Sequence, residues 1–361
     1  MMYLISKERL KEFADIMRRK TGETEECSLE EIKSKLEAVR TENDILVSRG
    51  CKGFYRDFSN ITTIPQLDTR SVTDMSNMFS DCQSLTTIPQ LDTTSVTDMS
   101  YMFSGCSSLT TIPQLDASSV TNMESMFSDC SSLTTIPQLD TSYATNMASM
   151  FHGCSSLTTI PQLDTSSATV MSDMFSKCSS LTTIPQLDTT SVTDMNRMFS
   201  GCTNLTTIPQ LDTSSVTNMN NMFYNCSSLT TIPQLDARSV TGMYNMFSGC
   251  TNLTNCRIRN IKVNLTIGSG TTYGHLLTVD SLIYMIKELV NTGSSKTLTM
   301  GTANTDKLSS TYVKLIGITD EMRAEDDLID SKLPFEVCES TEEGALAILT
   351  DYVALKNWSI K

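Results

Sequence analysis

Residues 85–108, Leu85-Thr-Thr-Ile-Pro-Gln-Leu-Asp-Thr-Thr-Ser-Val-Thr-Asp-Met-Ser-Tyr-Met-Phe-Ser-Gly-Cys-Ser-Ser108, decide the architecture, because the chain repeats them with small changes from about Asn60 to Cys250. Cysteines at 82, 106, 130, 154, 178, 202, 226 and 250 and prolines at 65, 89, 113, 137, 161, 185, 209 and 233 keep one 24-residue spacing through eight copies, without an insertion. So short a unit cannot enclose a core by itself. It buries its apolar edge by stacking on the next copy, which makes the array a solenoid.

Within the unit the apolar positions are Leu85, Ile88, Leu91, Val96, Met99, Met102, Phe103 and Cys106, a spacing of three or four. This predicts a short strand ended by Pro89, which cannot donate to a ladder, then a corner at Asp92. Ser95-Val-Thr-Asp98 reads as a capping box that opens a short helix through Phe103. One strand and one short helix per unit is the leucine-rich-repeat template. The predicted fold class is therefore α/β: a leucine-rich-repeat solenoid of eight 24-residue strand-plus-short-helix repeats, with an N-terminal helical hairpin and a C-terminal α/β cap.

Working outward, residues 7–20 put Leu10, Phe13, Ile16 and Met17 on one helical stripe, and Ser28 with Glu31 caps a second helix. Residues 1–45 read as a helical hairpin, an attachment and assembly module too small to be stable alone. Residues 46–58, with Phe54, Tyr55 and Phe58, read as a linker and N-terminal cap, and 59–256 as the solenoid. Residues 257–361 read as an α/β cap that continues it, strand-like at 258–267, helical at 279–291, strand-like at 297–300, helical at 306–315, and strand-like again at 335–337 and 358–360. Leu265-Thr-Ile-Gly-Ser269 and Leu298-Thr-Met-Gly-Thr302 echo one another inside it.

The net charge of -14 is concentrated in the array, where residues 59–250 carry 4 basic and 15 acidic side chains. Such a surface repels a phosphate backbone, so nucleic acid is not an expected partner. No run of about 18 apolar residues occurs, so no membrane insertion is expected. The start, Met1-Met-Tyr-Leu-Ile-Ser-Lys-Glu-Arg-Leu10, has charges where a signal peptide carries its apolar region, which predicts a chain not exported by that route. Its twelve cysteines then read as reduced thiols.

The run Val72-Thr-Asp-Met-Ser-Asn-Met-Phe-Ser-Asp-Cys-Gln-Ser-Leu85 closely resembles the BspA-type leucine-rich repeats of bacterial surface proteins, over just more than half the chain. The segment Leu85–Val96 is two residues shorter than the usual form of that repeat. The resemblance implies a secreted or surface-exposed adhesive protein. Residues 5–39, with Ala14-Asp-Ile-Met-Arg-Arg-Lys-Thr-Gly22, resemble the N-terminal module of tail and baseplate proteins of phages that infect Gram-positive bacteria, and residues 278–308 resemble the C-terminal end of phage-encoded members of the same repeat family. Those flanks imply a virion protein made in the cytoplasm, whose residues 1–45 bind phage structural proteins. A host cell-surface receptor, protein or glycan, is the expected partner, and a homo-oligomer is possible. A bacterial cell-surface adhesin or protein-interaction protein, exported by an unrecognised route, is the alternative.

Candidate sites were weighed column by column. The cysteine column suits buried thiols, and without a Cys-x-x-Cys pair or histidine partner no metal is expected. The Asp column at 68, 92, 116, 140, 164, 188, 212 and 236 suits local turns better than a calcium ladder, since no second carboxylate in the unit completes an oxygen cage. The Thr-Thr column suits strand propensity better than an ice-ordering surface. His152 and His275 have no recognisable nucleophile or carboxylate neighbour, so no catalytic residue, cofactor or enzymatic activity is expected. The copies differ mainly just before Met-Phe and between Phe and Cys. Tyr101, Glu124, His152, Asp173, Lys177, Arg197, Tyr224 and Tyr244 stand there, on the expected solvent side of the short helices, and are the candidate ligand-binding residues, with the tyrosines as anchors.

Overall fold

A computed structural model describes residues 52–64 and 66–267, together with 277, 281, 284, 285, 296–300, 312–315, 335–338 and 358–360. The expected hairpin over 1–45 lies outside them. The repeats stack as coils, the first spanning residues 61–84 and the eighth 229–252. In each coil the predicted apolar positions point inward: Val96, Met99, Met102, Phe103, Cys106 and Leu109 are fully buried, and so are their counterparts one coil away. The phenyl rings form one continuous pile. Tyr55, Phe79, Phe103 and on to Phe247 stack with centroids 5.5–6.1 Å apart and planes within 2–17° of parallel.

The short helix expected over 95–103 does not form. Residues 100–105 make a run of turns in which backbone amides alternate between two partners. Met99, Tyr101, Phe103 and Gly105 donate to the next coil, at Asn122, Glu124, Met126 and Ser128, whereas Met102, Ser104 and Cys106 donate three residues back. The alternation needs a left-handed residue twice per coil, at 101 and 105 (φ 57° and 75°) and at the same two places in every other coil. A helix tolerates no such residue, and the apolar spacing of three to four fits these turns equally well. The capping box fails for a related reason. Asp98 reaches forward, accepting from Ser100 N at 2.8 Å, and its backbone sits in a parallel bridge from coil to coil.

The strand expected before Pro89 is likewise extended chain rather than ladder in most coils. A strand is recognised in the last one, β1 (Thr231–Asp236), paired in parallel with β2 (Asn255–Arg259). Pro233 lies inside β1, and the register shifts between Ile232 and Leu235 around it, as a residue without an N–H requires. Elsewhere the glutamine after each proline makes the connection. Gln66 Nε2 donates to Gln90 O at 2.7 Å, Gln90 to Gln114 O at 2.6 Å, and the series runs on to Gln234. Buried threonines make a second ladder: Thr69 Oγ1 donates to Asp92 O and accepts from Asp92 N, and Thr141, Thr165, Thr189 and Thr213 donate in the same way. Ala117 and Ala237 interrupt it.

Ahead of the first coil, Gly53, Tyr55 and Asp57 donate to Ser76, Met78 and Ser80 in the turn pattern of a coil, and Gly53 and Asp57 are left-handed. Beyond the array, β3 (Leu265–Ile267) pairs in parallel with β4 (Lys296–Met300) in the register Leu265↔Leu298, Thr266↔Thr299, Ile267↔Met300, so the echo in the sequence is one position stacked on its copy. β5 (Tyr312–Leu315) pairs antiparallel with β6 (Phe335–Cys338), which corrects the helix expected over 306–315 at residues 312–315, the rest of that span lying outside the described residues. β7 (Trp358–Ile360) pairs with β4. Among the described residues no helix is long and apolar enough to cross a membrane.

Candidate functional site

Two columns serve the fold. Each thiol of the column from Cys82 to Cys250 donates to the carbonyl of the aromatic residue 27 positions earlier, as Cys106 Sγ does to Phe79 O at 3.0 Å. These eight cysteines and Cys256 are buried and form no disulfide. Burial pushes Cys82 and Cys250 up to about 12, and the thiols between them also rise. Each Asp of the second column closes its own turn: Asp92 Oδ1 accepts from Thr94 N and Thr94 Oγ1, and Asp140, Asp164 and Asp188 repeat the pattern. These bonds lower the Asp116 and Asp164 carboxyls, first through the Ser118 and Ser166 hydroxyls. At the end of the column burial raises Asp236, but bonds from Arg238 and Asn260 and the charge of Arg259 outweigh it, and the carboxyl lies well below its ordinary value.

What remains is the run of turns itself, a face crossed by four variable columns (76, 77, 80 and 81 in the first coil). All eight sequence candidates fall in these columns. Tyr101, Asp173 and Arg197 occupy the first left-handed position and Lys177 the second, with φ of 57°, 56°, 54° and 62°. Asparagine, aspartate and glycine adopt this conformation cheaply; for other residues it costs roughly 1–2 kcal/mol. Tyrosine, lysine and arginine are therefore held where the backbone disfavours them.

The structure joins some candidates and separates others. The Tyr101 hydroxyl donates to Glu124 Oε1, and Asn146 Nδ2 donates to Glu124 Oε2 at 3.1 Å, so one carboxylate ties three coils. Glu124 holds the Tyr101 hydroxyl protonated, above its ordinary range. His152 Nδ1 lies 3.9 Å from Asp173 Oδ1, each side chain about one-fifth exposed (22% and 21%). Tyr224 and Tyr244 point outward, Tyr244 with 72% of its surface exposed and its amide held by Asn220 Oδ1 at 2.7 Å. Lys177 and Arg197 are exposed and, among the described residues, make no ion pair. The described residues contain no group of three His, Cys, Asp or Glu placed to hold a metal.

Residues 50–160 and 145–261 both match the family described as "Mycoplasma protein of unknown function, DUF285", and together they span more than half the chain. The chain belongs to that family. The matched residues of this DUF285 chain are the coils, including the run that resembles BspA-type repeats, and neither flank falls within them. Among solved structures, the Treponema pallidum leucine-rich repeat protein is 19% identical, with 62% of this chain and 81% of that chain covered and a TM-score of 0.29. A leucine-rich cell surface protein from Faecalibacterium prausnitzii A2-165 is 18% identical, with 52% and 77% covered and a TM-score of 0.22. No curated protein matches the chain.

Two features of this DUF285 array escape the sequence reading. Asn146 and Asn220 hold candidate residues in place, as Asn at a bridge column and a variable column respectively. Tyr143, 64% exposed, stands on the other side of the coil, where most copies have Ser. Its signal was available, as the one aromatic in a hydroxyl column. Thr141, two residues before Tyr143, lines a shallow groove of about 640 Å³ together with Gln138, Asp140, Gln162 and Asp164.

Proposed function

We propose that the chain is a non-enzymatic binding protein whose turn face docks a macromolecular partner at a bacterial cell surface. One observation carries the reading: tyrosine, lysine and arginine stand in left-handed positions of that face where Asn, Asp or Gly would be cheaper. Apart from the Tyr101–Glu124 bond, nothing in the packing of the coils calls for those side chains, because the neighbouring coils fold with other residues there. Residues held against a backbone preference mark places where the side chain is used. The buried columns, by contrast, are nearly identical from coil to coil and serve the stack. The phage-tail placement, with residues 1–45 joining phage structural proteins, rests on flanks that lie mainly outside the described residues, so the described array favours the cell-surface adhesin reading.

The test replaces Tyr101→Asn, Glu124→Ser, Tyr224→Ser and Tyr244→Ser together, each with a residue another coil carries at that place. Beads coated with the variant are compared with wild type for adhesion to a panel of bacterial and animal cells. Adhesion should fall while the circular dichroism spectrum and urea midpoint stay close to wild type. Equal adhesion by variant and wild type, or none by wild type to any cell, removes the reading.

A further inference from the structure

The array carries 4 basic side chains against 15 acidic ones, and two of the four are structural: Arg70 is bonded to Asp68 at 2.6 Å and Arg238 to Asp236 at 2.5 Å. The other two, Lys177 and Arg197, are the unpaired cations of the turn face, and the backbone joins their turns on successive coils. Lys177 N donates to Ser200 O at 2.6 Å, and Ser200 N donates to Arg197 O at 3.0 Å, so one serine links their turns. Both residues are left-handed. Gly201, next to Ser200, leaves the space beside Lys177 open: a Cβ there would lie 3.6 Å from Lys177 Cγ. Tyr224, on the coil after Arg197, adjoins through the bond from Gly201 N to its carbonyl, and Tyr244 stands one coil further on, its carbonyl accepting from Asn221 N. The carboxylate in the same column one coil earlier, Asp173, faces His152; Asp194, three residues before Arg197, is the other nearby acid.

We propose that Lys177 and Arg197, flanked by Tyr224 and Tyr244, form a site for an acidic glycan, the cations taking a carboxylate or phosphate and the tyrosines lying against sugar rings. The proposal rests on the turn face being the binding face. Two unpaired cations suit a ligand with discrete negative groups, whereas the surrounding excess of acid repels a dense polyanion such as nucleic acid. Exposed aromatic faces beside amides such as Asn220 and Asn221 suit the hydroxyl-rich, partly apolar surface of a sugar.

Lys177→Asn with Arg197→Asn gives both positions a residue that the same columns already accept in Asn225 and Asn221, also left-handed, so the backbone is kept. Immobilised hyaluronate, a lipid-free glycerol-phosphate teichoic acid carrying glycosyl substituents, and neutral dextran are the probes. Wild type should bind at least one charged polymer and leave dextran, and the double variant should bind it about tenfold more weakly, with the difference shrinking as salt rises. Preference for hyaluronate assigns a carboxylate ligand and preference for teichoic acid a phosphate; either supports the site. Equal binding by the double variant, equal binding of dextran, or no binding of either charged polymer overturns it. The two readings separate cleanly. If the four-residue variant loses cell adhesion while Lys177→Asn/Arg197→Asn keeps full polymer binding, the glycan site falls and the binding face stands.

Discussion

Gly105 and Gly201 occupy the same place in two coils and have the same left-handed φ of 75°, so they offer a controlled substitution. An alanine at either carries the same conformational cost, roughly 1–2 kcal/mol. Their surroundings differ. A Cβ on Gly105 would come within 2.5 Å of Asp81 Oδ1 and 3.3 Å of Asp81 Cα, whereas on Gly201 the nearest atom, Lys177 Cα, is 3.5 Å away. Gly105→Ala must therefore displace the Asp81 side chain, which is held by Ser80 Oγ at 3.1 Å, and press on a backbone atom that cannot move freely. Crowding of this kind adds about 1–3 kcal/mol. Urea unfolding followed by far-ultraviolet circular dichroism should place Gly105→Ala below Gly201→Ala by that margin. Asp81→Gly combined with Gly105→Ala should recover part of the loss, with a coupling of about 1 kcal/mol. Equal midpoints for the two alanine variants, or no coupling with Asp81→Gly, would refute the steric account.

The thiol column predicts slow labelling of the native protein by a thiol reagent and twelve free thiols after denaturation without reductant. Because the folded thiols titrate above their ordinary 9.0, with Cys82 and Cys250 near 12, the folded state retains protons that the unfolded chain loses. Their stabilisation is complete below about pH 9 and is lost as the pH climbs toward 12, so the urea midpoint should fall across that window. Ala117→Thr should restore a missing rung of the buried hydroxyl ladder and raise stability by about 1 kcal/mol, measured by the same unfolding experiment; a loss would show that the alanine fills a space a threonine cannot.

The period, the inward columns and the turn chemistry of the Asp column were all legible in the sequence, because each follows from residue type at fixed spacing. Val96, Met99, Met102, Phe103 and Cys106 are buried as their apolarity requires. The helix was misread because three-to-four spacing is shared by an α-helix and by turns closed three residues back. The distinguishing sign was Asn77 and Asp81, then Tyr101 and Gly105, and onward at the same spacing of four, residues mostly of the kind that accept positive φ. The glutamine ladder was missed because an invariant Gln after Pro looks like an exposed strand residue. Only the stacked structure shows its amide standing in for the N–H that proline lacks. The candidate residues were found because they differ between copies, but their contacts, such as Tyr101 with Glu124, depend on which coil lies next.

The second left-handed column also explains where a side chain can be shown. It reads Asp81, Gly105, Asp129, Gly153, Lys177, Gly201, Asn225, Gly249, so side chain and glycine alternate without a break. At Gly105 the space a Cβ would need is already filled by Asp81, the side chain of the coil before it, and the same kind of overlap recurs at Gly249 with Asn225. At Gly105, Gly153 and Gly249 the Asp or Asn of the coil before leaves no room for a Cβ, whereas Gly201 beside Lys177 has room; side chain and glycine alternate through all eight coils, so the array repeats every two coils in this column although its backbone repeats every one. Lys177 stands on a coil where a side chain is permitted, and Gly201 after it keeps its stem free. The turn face therefore shows one projecting group in this column for every second coil, a spacing that steric crowding supports at Gly105, Gly153 and Gly249. A ligand that engages more than one of them must match two coils, not one.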